Sequence, residues 1–297
     1  MRVAEHISSR TKPIISLEFS RPASEKAVVN LDKAIVKLKD LKPDYVSVTF
    51  GAGGSNHEGS VDLLKKLKDE HNFKTVAYIA GVGIGKEKLT EVLDQFKELD
   101  IKTVFAIRGD APTWDENYTP HLESFNYASE LIEFIKEKYD FCIGAAAYPE
   151  GHIESENIDK NIEYLKLKIS NGAEYIIAQY FYDNKYFLEF VDKCRNAGIT
   201  VPIIPGIMPI YTEKLMNNLA RVCGTTITDK IKNDLAKLPK DDNKAVAAYG
   251  TKLALEQCRD LLEKGVDGLH FYTMNRANTV VAVVNSLKCN APVFLDR

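Results

Sequence analysis

Glu18 lies inside the apolar run IISLEFS (14–20), a setting that is costly for a charged side chain. Taking a carboxylate out of water favours its neutral form, and a carboxyl kept protonated near neutral pH can serve as a general acid. An ion pair with Arg21 or Lys12 is the alternative. In VFAIRGDAP (104–112) an apolar segment runs straight into Arg108, Gly109 and Asp110, which reads as a solvated turn, an adhesion tripeptide or the edge of a pocket. Gln179 interrupts IIAQYFYD (176–183); its amide both donates and accepts, which suits a heterocycle with alternating polar atoms, or it is satisfied within the core. Tyr148, Glu150 and His152 share AAAYPEGH (145–152), a ligand contact or a capped loop. His270 and Arg276 share GLHFYTMNRA (268–277). His270 reads first as a hydrogen-bonded structural histidine, and Arg276 as an anion contact or a helix cap. The three glycines of TFGAGGSN (49–56) would let backbone approach a ligand closely, or form a plain loop.

What could bring such scattered residues together is an alternation of strand and helix. Short runs rich in β-branched and aromatic residues recur at 13–19, 45–50, 74–80, 103–109, 141–149, 175–182, 202–209 and 268–274. Continuous apolar strands of this kind belong in a parallel sheet covered on both faces. Between them apolar residues keep helical spacing: in 24–41, Val28, Leu31, Ile35 and Leu38 recur at steps of three and four, with Ser24 placed as N-cap. Further helices are expected near 57–70, 86–98, 124–138, 156–171, 184–196, 212–222, 243–264 and 276–287. Eight such units predict a single-domain (β/α)8 barrel, a TIM barrel, over residues 1–297, with the polar stretch 225–245 as a helical insertion. A doubly wound fold would need Gly-x-Gly-x-x-Gly after its first strand, whereas GVGIG (81–85) has other spacing and follows the third. Barrel active sites form at the carboxyl ends of the strands, where Glu18, Thr49, Tyr78, Asp110, Tyr148, Gln179 and Tyr272 would stand.

Composition narrows the classes. A net charge of −3 with both signs interspersed argues against nucleic acid as a partner. No apolar stretch approaches a membrane span or a secretory signal, so a cytoplasmic location is expected. The five cysteines are scattered and odd in number, and the six histidines lack ligand spacing, which disfavours a disulfide framework or an intrinsic metal site.

Seven segments, SLEFSRP (16–22), VSVTFGAGGS (46–55), AIRGDAP (106–112), AAAYPEGH (145–152), AQYFYD (178–183), PIIPGIMPI (202–210) and HFYTMNRA (270–277), together resemble the methylenetetrahydrofolate reductase family, in its order and over nearly the whole chain. The resemblance implies a flavin barrel, with FAD or FMN in its place, that reduces 5,10-methylenetetrahydrofolate to 5-methyltetrahydrofolate. By that likeness Glu18 is the acid that helps open the methylene bridge, and Asp110 the carboxylate beside flavin and pterin. Thr49, Arg108, Asp110, Tyr148, His152 and Lys168 would hold the flavin, with Arg108 and Lys168 at its phosphates. Lys168 also reads as an exposed helix lysine. Gln179 and Arg276 would contact folate.

Some positions depart from the family's commoner bacterial pattern: Tyr78 stands at a customary histidine, Asn161 at an acidic position, and Tyr211-Thr212-Glu213 does not reproduce the usual nicotinamide-stacking aromatic. NAD(P)H is the expected donor, with an iron-sulfur or ferredoxin-type partner as the alternative. A homo-oligomer or a complex with an iron-sulfur subunit stays open, as does a flavin-free methyltransferase or folate-binding subunit. The chain stops about where the barrel should, which implies the catalytic domain without the regulatory domain of eukaryotic members.

Overall fold

Each apolar run becomes a strand whose alternate residues point into the barrel and out against helices. A computed structural model describes residues 1–50, 57–110 and 119–290. The strands are β1 (Ile14–Phe19), β2 (Tyr45–Val48), β3 (Thr75–Ala80), β4 (Thr103–Ile107), β5 (Cys142–Ala147), β6 (Ala173–Ala178), β7 (Ile203–Ile204), β8 (Gly206–Ile207) and β9 (Gly268–Tyr272). All described pairings are parallel, in the order β7-β6-β5-β4-β3-β2-β1-β9-β8. Because β7 and β8 are consecutive pieces of one path, the sheet curls round into a TIM-type barrel.

The expected seventh strand is therefore two short ones. Pro205 has no N–H to give a neighbour, so the ladder breaks there. Its carbonyl still accepts from the His270 N–H at 3.0 Å, which keeps the path against β9. Gly206 is needed beside it, since a Cβ there would stand 2.3 Å from the Ala178 carbonyl oxygen.

The helices fall close to the expected ranges: α2 (Glu25–Lys39), α3 (His57–Lys65, continued by a π turn over Lys66–Glu70), α4 (Lys86–Glu98), α5 (Ala128–Lys138), α6 (Ile158–Ser170), α7 (Asn184–Asn196), α8 (Glu213–Cys223), α10 (Asn243–Glu263) and α11 (Ala277–Asn290). Ser24 caps α2 by accepting from the Ala27 N–H, and Asn157, Asp183, Thr212 and Asp242 cap α6, α7, α8 and α10 in the same way. The polar insertion forms α9 (Asp229–Leu235) behind its N-cap Thr228. Ile231 and Leu235 of α9 join a satellite core with Tyr180, Tyr182, Met208 and Tyr211.

One helix lies outside the sequence expectations. α1 (Val3–Ser9) buries Val3 and Ile7 against the amino ends of the strands. Thr103 at the start of β4 accepts from the Val3 N–H and donates to the Met1 carbonyl. His6 meets Asp44 at 2.9 Å, and the other oxygen of Asp44 takes the Ile15 N–H. The bottom of the barrel is thus closed, leaving the carboxyl ends of the strands as the open face.

The barrel interior is crowded with aromatic side chains. Phe105 stacks on Tyr78 at 4.5 Å and tilts against Tyr175 at 6.1 Å. Gly144 makes room for them, since a Cβ there would lie 2.3 Å from the Tyr175 ring and 2.6 Å from Phe105. Gly144→Ala should therefore lower stability by about 1–3 kcal/mol through overpacking. Urea unfolding will show this as a lower midpoint with an unchanged slope, and an unchanged midpoint would refute the crowding.

Candidate active site

At the carboxyl end of β1 the two-residue alternation turns Ser16 and then Glu18 inward, while Leu17 and Phe19 face the helices. β2 does the same with Tyr45, Ser47 and Thr49, β6 with Tyr175 and Gln179, and β9 with His270 and Tyr272. The polar residues of the strand ends therefore converge from different strands on one mouth.

Glu18 is the most enclosed carboxylate of this group, its side chain 14% exposed. His270 Nε2 lies 3.8 Å from its Oε2, and Tyr78 stands against it from β3. Burial, and then the charge of Glu18, push both the Tyr78 and the Tyr272 hydroxyls well above the ordinary tyrosine value. Both phenols therefore stay protonated; Tyr78 faces the acid, while the Tyr272 hydroxyl donates to the Ala178 carbonyl at 3.3 Å. Arg21, one of the two ion-pair alternatives for Glu18, lays its aliphatic stem over Gly59 of α3.

The opposite rim is cationic. Arg108 leaves β4 just before Gly109, whose φ of +82° and packing on Ala80 admit no side chain. Its guanidinium makes a two-pronged pair with Glu154 and lies 3.7 Å from Asp110. The Asp110 carboxylate is 82% exposed at the lip of the mouth. Tyr148, raised to about 12 by burial and then by Asp110, meets His152 edge-on at 4.6 Å. Burial, then Arg108, lowers the His152 imidazole, whose Nδ1 takes the Glu154 N–H.

Lys168 is not the exposed helix lysine that its position on α6 allowed. It reaches back to the end of β5, where its ammonium donates to the Ala146 carbonyl at 2.8 Å. Burial, then Arg108, lowers it to about 8. No carboxylate among the described residues pairs with it. Two cations close enough to perturb each other, one of them without a counter-ion among the described residues, can attract an anion.

The remaining candidates line the approach. Gln179 follows β6, its N–H donating to the Ala147 carbonyl and its own side-chain oxygen accepting from the Tyr180 N–H. Arg276 is exposed just before α11, and its guanidinium sits 5.6 Å from the centre of the Tyr211 ring. Thr49 stands one residue past β2, its carbonyl holding the Ser60 hydroxyl. The glycines of 51–56, together with Ala111 and Pro112, lie outside the described residues.

Residues 2–288 match the methylenetetrahydrofolate reductase family. The chain belongs to the methylenetetrahydrofolate reductase family. A methylenetetrahydrofolate reductase of Schizosaccharomyces pombe is 35% identical over 95% of this chain and 47% of its own length. The 5,10-methylenetetrahydrofolate reductase of Pectobacterium carotovorum is 32% identical over 92% of this chain and 89% of its own. The chain thus spans about half the length of the yeast relative and most of the bacterial one. A solved structure of a Clostridium thermocellum protein, described as binding two copies of 5-methyl-5,6,7,8-tetrahydrofolic acid, shares the fold with a TM-score of 0.63 at 17% identity, over 96% of this chain and 97% of the other. No helix among the described residues is long and apolar enough to cross a membrane.

Within this reductase-family barrel, sequence reasoning missed Glu154 and undervalued His270. Glu154 stands two positions after His152 on the same loop, and only its pairing with Arg108 marks it out. His270 keeps the inward phase of Tyr272, and that two-residue step was the available signal.

The lowered Lys168 amine sets a pH dependence. Between about 8 and its ordinary 10.5 the unfolded chain holds a proton that the folded protein has released, so stability rises with pH across that window. Below it, both states are charged and the partly buried ammonium carries its desolvation cost. Lys168→Met should therefore make the ligand-free protein more stable than the wild type at pH 7, the gap closing by about pH 10.5. Urea midpoints at several pH values will decide; a gap that does not change with pH would refute the buried charge.

Proposed function

We propose that the chain is a cytoplasmic flavoenzyme that reduces 5,10-methylenetetrahydrofolate to 5-methyltetrahydrofolate. Glu18 carries this reading: it is an enclosed carboxyl at the open end of β1, in a chain of the reductase family. The methylene bridge opens when the departing amine nitrogen gains a proton, and Glu18 is the group placed to give it. Opening leaves a 5-iminium cation, and Asp110 at the lip supplies a negative charge to stabilise it. The Gln179 amide would bind the pterin, and Arg276 the anionic glutamate tail.

The residues present fit a flavin nucleotide. Arg108 and Lys168 would hold its phosphates, and Thr49, Tyr148, His152 and Asp110 would contact the rest of it. When bound, the flavin supplies the hydride that reduces the opened methylene carbon. Arg108 has five N–H donors, of which the pair with Glu154 uses two, so the guanidinium can reach a phosphate with Glu154 still in place. FAD is the expected form, with FMN as the smaller substitute. NAD(P)H is the expected donor; an iron-sulfur or ferredoxin-type partner subunit could drive the same chemistry.

Purified protein should carry a flavin spectrum or regain one on reconstitution, and its lasting absence would overturn the reading. Glu18→Gln should keep the flavin and lose about 10²–10⁴-fold in folate reduction, the range for a general acid; full turnover would remove Glu18 from that role. Arg108→Gln should weaken flavin binding by about 10–100-fold, the loss of a charged hydrogen bond, as titrated by flavin fluorescence. Anaerobic assays with NADH, NADPH and reduced ferredoxin in parallel will identify the donor.

A further inference from the structure

Beneath Glu18 the barrel holds polar side chains that the proposed chemistry leaves unused. Ser16, Tyr45, Ser47, Tyr175 and His270 are all completely buried. Such groups are costly unless each is paired. His270 is paired on one side only: its Nδ1 lies 2.8 Å from the Ser16 hydroxyl, while its Nε2 has no hydrogen-bond partner among the described residues. That free nitrogen is the atom 3.8 Å from Glu18 Oε2. The gap exceeds a hydrogen bond but is within reach of a small rotation of Glu18 or a bridging water.

The ring has two neutral tautomers, and its neighbours choose between them. With the proton on Nδ1, the Nε2 lone pair would face an ionised Glu18 and repel it. With the proton on Nε2, the N–H points at the carboxylate, and the Ser16 hydroxyl, able to play either part, donates to the bare Nδ1. The other groups facing the pair are the hydroxyls of Tyr78 on β3 and Tyr45 on β2 and, edge-on to the imidazole at 5.2 Å, Tyr272. All three phenols are held protonated by burial, so none competes as a base.

We propose that His270 is a positioning residue for Glu18, held by Ser16 at Nδ1 and carrying its proton on Nε2, so that an N–H meets the carboxylate formed when Glu18 gives up its proton. The inference rests on the reductase reading for its kinetic consequence, though not for the tautomer. Without that N–H the ionised carboxylate loses a stabilising partner, so the acid releases its proton less readily.

The test has two arms. In the folate half-reaction, run with pre-reduced enzyme, His270→Leu should lower the rate about 10–100-fold, as expected for loss of a hydrogen bond to a charged group, and move the alkaline limb of the pH profile upward. His270→Gln, which restores a donor, should recover part of both. Should His270→Leu fail to fold, Ser16→Ala carries the kinetic arm, with a smaller shift in the same direction. In the second arm, nitrogen NMR of histidine-labelled wild type should show Nε2 protonated and Nδ1 bare. A proton on Nδ1, or an unchanged rate and pH limb in the folded variants, would overturn the proposal. If the wild type does not reduce folate at all, the reductase reading fails, and the NMR arm still decides the tautomer.

Discussion

The contact between Ser16 and His270 joins the first strand of the barrel to the last, across 254 positions of sequence. It lies inside the seam where β1 meets β9, and the mouth above depends on that seam. A parallel sheet left open would expose two edges and spread its strand ends apart. Closed, it brings Glu18, Gln179 and Tyr272 onto one face, although their elements are far apart in the chain. Closure runs through the weakest strand, the one that Pro205 divides, and holds because its carbonyl still binds the His270 N–H.

Around that mouth Glu18 sits on one side among phenols that cannot ionise, and Arg108 and Lys168 on the other, with Asp110 and Glu154 beside Arg108. Neither side is arranged for maximum stability. A lysine whose amine is lowered to about 8 by burial and a neighbouring guanidinium is a liability in the ligand-free fold. Such liabilities concentrate where a protein must bind or react, because the missing partner is the ligand. Glu154 offsets part of the local positive charge by pairing with Arg108.

The alternation of apolar strand and amphipathic helix was legible because both periods are local: a strand repeats every two residues and a helix every 3.6 or so. That is why α4 and α7 fall on their expected limits, and why Glu18 and Gln179 could be expected at the carboxyl ends of strands. The division of the seventh strand was less legible, since one proline in an apolar run is compatible with several breaks. The helix α1 escaped because Val3 and Ile7 supply a single apolar step, and what makes it a helix is the floor that it covers.

The sequence by itself determined the repeating unit, the residue types at the strand ends and their likeness to a reductase family, all of which depend on neighbours in the chain. Only the tertiary structure decided which side chains meet. It turned the half-buried Lys168 back onto the end of β5 near Arg108, paired Arg108 with Glu154, and set His270 between Ser16 and Glu18. These outcomes follow from burial and from distances between strands, and no local period encodes either: a lysine on a helix and a histidine in a strand acquire their chemistry from what the closed barrel places against them.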